Sequence, residues 1–222
     1  FLFNLFGYIS FRSGLSLITS FFIVIFLMPH WIRFQKSIFP SGQPIRNDGP
    51  DTHYKKKGTP TLGGVLILFS IILSSVLWTS NFSSFNYILI LTLILFGLIG
   101  CVDDFQKVKL GRGISSKTKF LSQLLVTLII YFAIKYNGFD LNKFSIPFLK
   151  DATIELGYLY FVLILLIVIG STNATNLTDG LDGLVTMPLI FVFLTFAIFA
   201  YVLGNINFSD YLLVNYMKGS GE

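Results

Sequence analysis

Six apolar segments divide this chain of 222 residues, and they settle what solvent it folds in. They run from Leu15 to Met28, Leu62 to Trp78, Tyr87 to Val102, Phe120 to Ile134, Leu156 to Gly170 and Leu184 to Leu203. Several approach the length of about 17 to 25 residues that a helix needs to cross a hydrocarbon layer about 30 Å thick, and the shorter ones must borrow flanking residues. Of all residues 54% are hydrophobic and 12% charged, with a mean hydropathy of +0.75, too apolar for a soluble domain of this length. Hydrocarbon offers no partner to a free backbone group, so spanning segments must be helices or a closed barrel. Unbroken runs such as Tyr87 to Leu95 lack the two-residue alternation of barrel strands. The Ile, Val and Phe content would favour strands in water, but here length and hydrophobicity outrank propensity. The expected fold is an all-α integral membrane protein of about six transmembrane helices, forming one polytopic domain over residues 1–222 with no internal repeat.

The distribution of the 16 Lys and Arg residues gives an orientation. Arg33, Lys36, Arg46, Lys55, Lys56 and Lys57 fall in the first connection, and Lys107, Lys109, Arg112, Lys117 and Lys119 in the third. Arg12, Lys135, Lys143, Lys150 and Lys218 fall on the opposite side. The positive-inside rule makes the first, third and fifth connections cytoplasmic and both ends of the chain external. The fifth connection has no Lys or Arg, so helix counting alone places it. The net charge of +5 sits on the cytoplasmic face, where 11 bases meet six acids, while the outer face balances. Such an excess faces anionic lipid headgroups or a phosphorylated substrate rather than nucleic acid. Cys101 is the only cysteine and reads as a packed thiol, which excludes a disulfide framework and a cysteine zinc site.

Three polar constellations fall on that same face. The first is Arg46-Asn47-Asp48-Gly49-Pro50, followed by Lys55-Lys56-Lys57-Gly58-Thr59-Pro60-Thr61-Leu62-Gly63-Gly64. Its prolines stop helices, its glycines let the backbone approach a ligand closely, and its lysines supply point charges for phosphate. The spacing is not that of a Walker A loop. The second is Val102-Asp103-Asp104-Phe105, at the end of the third span. Neighbouring carboxylates beside hydrocarbon repel each other, a cost that a divalent cation or a phosphate-bound lysine offsets. Adjacent side chains on a helix diverge by about 100°, so at most one of the two is expected to touch a given metal while the other acts as a base or orients a partner. The third runs from Asn173 to Gly183, where Asn173, Asn176, Asp179 and Asp182 recur every three residues and form a polar stripe on helical or tighter turns. Amides suit a planar base or a sugar, and carboxylates suit Mg²⁺. Lysines, carboxylates and an inferred metal at a membrane surface fit phosphoryl transfer between a soluble substrate and a lipid.

At these motifs, across nearly the whole chain, the sequence resembles the phospho-N-acetylmuramoyl-pentapeptide transferase family of bacterial membrane enzymes. The resemblance rests on Arg46 through Pro50, on Lys57-Gly58-Thr59-Pro60-Thr61 with Gly63-Gly64, on Val102-Asp103-Asp104 and on Asn173 through Gly183. It implies transfer of phospho-MurNAc-pentapeptide from UDP-MurNAc-pentapeptide to undecaprenyl phosphate, with Mg²⁺, releasing UMP. The setting it implies is the bacterial inner (cytoplasmic) membrane, with the active site on the cytoplasmic face; a homodimer is one assembly open to such a chain, and the sequence does not fix the oligomeric state. Carried onto matching positions, it makes Asp103 the candidate base toward the lipid phosphate and Asp104 a neighbouring active-site carboxylate. The same pair is the metal expectation, and Asp179 is the third catalytic candidate. Lys56, Lys57 and Thr61 match substrate-phosphate positions, while Asn173, Asn176 and Asp182 match or support the nucleotide site. A single displacement and a covalent aspartyl-phosphate route both fit these residues.

The family pattern continues through about four more helices, to about ten in all, with a further catalytic aspartate in a Phe-Met-Gly-Asp element and a triple-histidine loop. Neither element occurs up to Glu222, where the only histidines are His30 and His53. The expectation is therefore an N-terminal fragment, inactive alone, with a further metal ligand beyond Glu222. The rival readings are a related N-acetylhexosamine-phosphate transferase, a transporter or scramblase, and a non-catalytic scaffold. Span interiors nearly free of ionisable groups argue against a transport path. The three constellations would be superfluous in a scaffold.

Overall fold

The computed structural model describes residues 2–40, 42, 60–139, 141–146, 153–179 and 183–221. A short 3-10 segment, Leu2–Gly7, precedes helices α1 (Ile9–Ile38), α2 (Gly63–Trp78), α3 (Ser84–Leu110) and α4 (Ser116–Tyr136). Two short strands, β1 (Lys143–Ser145) and β2 (Thr153–Glu155), lead to α5 (Leu159–Thr178), α6 (Thr186–Leu203) and α7 (Ile206–Tyr211). Each apolar segment lies almost wholly within one helix, and five of the helices are long and apolar enough to cross a membrane. The sixth, α2, has 16 residues, about 24 Å at 1.5 Å per residue and short of a full hydrocarbon layer.

The helices outrun their apolar windows. Helix α3 carries on eight residues past Val102 to Leu110, and α1 carries on past Met28, through Pro29, to Ile38. Arg33, Lys36, Lys107, Lys109, Lys117 and Lys119, expected in connections, therefore lie on helix ends, and the third connection shrinks to residues 111–115. The reason is that hydrophobicity marks the lipid layer, whereas polar turns continue the same helix once their side chains reach the interface. The second departure is the small hairpin between α4 and α5. Phe144 pairs with Ile154 there in an antiparallel register.

Packing is inverted relative to a water-soluble bundle. The fully buried side chains are polar, including Ser70, Gln123 and Thr127, whereas large apolar side chains such as Phe21, Phe26, Phe193 and Phe196 are exposed. No residue of α6 is buried. Lipid takes up the apolar surface, and small or hydrogen-bonding residues mediate contact between helices.

The chain divides into two compact units. One comprises Phe1–Thr79 with Ile90–Ser122, and the other Ser80–Leu89 with Gln123–Glu222. In the first, α1 and α2 run antiparallel. Trp31 Nε1 donates to the Leu62 carbonyl at 3.2 Å near one end, the Ser20 and Ser70 hydroxyls meet at 3.1 Å, and Trp78 Nε1 donates to Thr19 Oγ1 at 3.0 Å near the other. In the second, the Tyr131 and Phe161 rings make an edge contact between α4 and α5, and the Phe85 ring lies 4.3 Å from that of Phe139.

Candidate active site

Within the first unit, the double aspartate is the centre of a charge cluster. Asp103 lies well inside α3 and is 6% exposed. Four and three residues on from the two acids, Lys107 places Nζ 2.8 Å from Asp103 Oδ2 and 2.9 Å from Asp104 Oδ1. An acid one turn before a base is the favourable order on a helix. Lys119, from the start of α4, adds a second ammonium 3.8 Å from Asp103 Oδ2. The remaining oxygen of Asp103, Oδ1, accepts a 2.9 Å hydrogen bond from the backbone N–H of Ile114 in the connection between the helices.

That connection closes over Asp103 because of Gly113. A β-carbon there would meet Asp103 Oδ1 at 2.5 Å and Lys107 Cε at 3.2 Å. Gly111, at φ +72°, turns the chain out of α3, its N–H bonding back to the Lys107 carbonyl. The carboxylate of Asp103 is thus held by two ammonium groups and an N–H, a full set of charge-assisted partners for a buried anion.

Asp104 is differently placed. Among the described residues its Oδ2 has one long contact, 3.4 Å from the hydroxyl of Thr61, and its side chain is about a third exposed. Thr61 precedes Leu62, the residue before α2, which adopts the left-handed conformation at φ 62°. That conformation is costly for a branched side chain, and it is pinned by the Trp31 indole and by Val65 N–H, both donating to the Leu62 carbonyl.

The two carboxylates share one ammonium, that of Lys107. Although their Cβ directions diverge, rotation about the aspartate side-chain bonds brings one oxygen of each to a single Nζ. Among the described residues no group of three or more His, Cys, Asp or Glu is arranged to hold a metal. A pair of carboxylates is nevertheless a fitting set for Mg²⁺, which keeps several waters and commonly takes one or two protein carboxylates plus substrate phosphate. Asp104 Oδ2 is the oxygen best able to serve, since both oxygens of Asp103 are engaged.

The third constellation lies in the second unit. Helix α5 runs to Thr178, so Asn173 and Asn176 are helical and Asp179 is the residue that ends the helix, its N–H bonding to the Thr175 carbonyl. Asn176 and Asp179 are exposed. Asn173 is partly buried and donates from Nδ2 to Gln123 Oε1 on α4 and to the carbonyl of Ile169, both at 2.9 Å.

Of the residues singled out in the sequence, Asp103, Asp104 and Thr61 therefore meet in one cluster. Asn173, Asn176 and Asp179 follow one another at the end of α5. Lys56, Lys57 and Asp182 lie outside the described residues, as does His53. His30 donates from Nδ1 to the Phe26 carbonyl one turn back, an ordinary helix contact. In the sequence Lys107 and Lys119 stand out only as part of the basic excess that orients the chain and faces headgroups or a phosphorylated substrate, and Gln123 and Gly113 carry no signal. The Asp103–Lys107 spacing was a usable signal for the first. Nothing in a linear reading ties Lys119, Gln123 or Gly113 to these sites.

Residues 86–219 match the family model for glycosyl transferase family 4. The chain is similar to proteins named phospho-N-acetylmuramoyl-pentapeptide-transferase from Rickettsia prowazekii, Desulfotalea psychrophila and Rickettsia felis, each 41% identical over 99% of this chain. It spans 62% of the length of these relatives.

Proposed function

The chain belongs to glycosyl transferase family 4, and from that membership we propose that the whole protein transfers phospho-MurNAc-pentapeptide from UDP-MurNAc-pentapeptide to undecaprenyl phosphate, releasing UMP. The observation that carries the proposal is the Asp103–Asp104 pair clamped by Lys107 and Lys119, in a chain 41% identical to relatives bearing that transferase's name. No observation supports the homodimer, and the proposal is made for a single chain.

In the reaction, an oxygen of the lipid phosphate forms the new bond to the sugar-bound phosphorus. The bond from that phosphorus to the bridging oxygen breaks, and that oxygen leaves on UMP. Both reactants are anionic, so the site must supply positive charge and relieve the lipid phosphate of any proton it carries. Lys107 and Lys119 supply the charge. An arriving phosphate competes with Asp103 for the two ammonium groups, and as they turn to it the Oδ2 of Asp103 is released to accept that proton. Asp104, with Asp103 beside it, would hold Mg²⁺, which when bound offsets the negative charge of the diphosphate. Thr61, with Lys56 and Lys57, is assigned to substrate phosphate, Asn173, Asn176 and Asp182 to the nucleotide, and Asp179 to catalysis. The charge distribution supports a bacterial cytoplasmic membrane setting with these residues on the cytoplasmic face.

The test is an assay of the whole protein in membranes, with undecaprenyl phosphate and either UDP-MurNAc-pentapeptide or UDP-N-acetylglucosamine. The proposal expects UMP and a lipid-linked product from the first donor only. Turnover of the second donor at an equal or higher rate would move the chain to the N-acetylhexosamine-phosphate branch.

A further inference from the structure

Gln123 is 1% exposed, yet only half of its amide is used. Its Oε1 accepts from Asn173 Nδ2, while its Nε2 has no hydrogen-bond partner among the described residues. A buried amide nitrogen without an acceptor is a net cost, which a methionine or leucine of similar size would avoid. What the glutamine provides in return is its oxygen, and the geometry shows what that oxygen fixes. A carbonyl only accepts, so the contact with Ile169 identifies the end of the Asn173 amide nearest to it as the nitrogen. The Gln123 atom facing the same nitrogen must then be oxygen, and the two hydrogens of Asn173 Nδ2 are both consumed. Asn173 is left with one unspent hydrogen-bonding atom among the described residues, the acceptor Oδ1.

We infer that Gln123 is a positioning residue for the nucleotide-sugar site, holding Asn173 so that it offers an acceptor and no donor to the ligand. The inference rests on the assignment of Asn173 to the nucleotide made above. An acceptor at the first position of the Asn173, Asn176, Asp179 series selects a ligand group carrying a hydrogen, such as a nucleobase imide N–H or a sugar hydroxyl. Without Gln123 the amide of Asn173 is free to rotate, and its NH₂ competes for the same place. Thr127, fully buried and bonded from Oγ1 to the Gln123 backbone carbonyl at 2.8 Å, belongs to the same turn of α4 and keeps that turn polar.

The experiment is a double-mutant cycle in the whole protein, reading kcat and the KM for the nucleotide sugar in the wild type, Gln123→Leu, Asn173→Ala and the double variant. Gln123→Glu is added because it retains a side-chain oxygen of the same reach, and Gln123→Met replaces Gln123→Leu if the latter does not accumulate in membranes. The loss of one buried hydrogen bond corresponds to about a tenfold change in an equilibrium constant. Gln123→Leu should therefore raise KM about tenfold with kcat nearly unchanged, Gln123→Glu should restore most of it, and the double variant should be no worse than Asn173→Ala. A raised KM in Asn173→Ala beside a wild-type KM in Gln123→Leu would overturn the inference alone, as would independent, multiplying effects in the double variant. An unchanged KM in Asn173→Ala would instead remove Asn173 from the nucleotide site and take the inference with it.

Discussion

Asp103 shows how a carboxylate can be kept at the edge of hydrocarbon. Its negative charge is met by Lys107, Lys119 and the Ile114 N–H, and the connection carrying that N–H can approach only because position 113 lacks a β-carbon. Gly113→Ala should accordingly push the Asp103 carboxylate away from Ile114 while leaving the helices intact. The expected outcome is a fall in kcat of about tenfold or more, since small misplacements of a reacting group are costly, with normal accumulation in membranes. An alanine enzyme with wild-type kcat would show that the loop does not set the carboxylate. Lys119→Met tests the other side of the cluster and should raise the KM for the lipid phosphate, because a lysine contacting phosphate acts largely through its charge. An unchanged KM would exclude Lys119 from phosphate binding. At this scale the acids were legible in the sequence, because two adjacent carboxylates beside an apolar run demand a partner. Lys119 was not, because its contact with Asp103 depends on how α4 begins and not on any local spacing.

The elements follow from hydrophobic length, and their contacts from the few polar side chains on each. Helices α1 and α2 pack through Ser20, Ser70 and the two indoles, and Ser70 is fully buried with its hydroxyl also donating to the Ile67 carbonyl at 2.7 Å. Ser70→Leu inserts a large side chain where none fits and should destabilise the pair by about 1–3 kcal/mol, the usual range for overpacking. A thermal melt in detergent would detect this, and an unchanged midpoint would mean that α1 and α2 do not meet at Ser70. The six helices could be read from the sequence because an apolar run of this length has one stable form in lipid. Their ends could not, since α3 and α1 continue into turns whose side chains are charged. The β1–β2 hairpin was invisible for a different reason, as three-residue strands leave too short a pattern to stand out from a polar connection.

For the molecule as a whole, exposed apolar side chains on every long helix make lipid its solvent, and the orientation proposed above from the charge count is open to a direct test. With Cys101 replaced, a cysteine at Ser115 should resist an impermeant reagent applied to intact cells, and one at Asn81 should react with it. The reverse pattern would invert the topology. The account as a whole turns on the claim that the α3 carboxylates perform the transfer, and the most direct measurement is the turnover of Asp103→Asn in the whole protein, with Mg²⁺ and both substrates saturating. A positioned acid or base contributes about 10²-fold to 10⁴-fold, so the account predicts a loss of kcat of at least about 10²-fold with the protein still folded and still binding nucleotide. Turnover close to that of the wild type would contradict it.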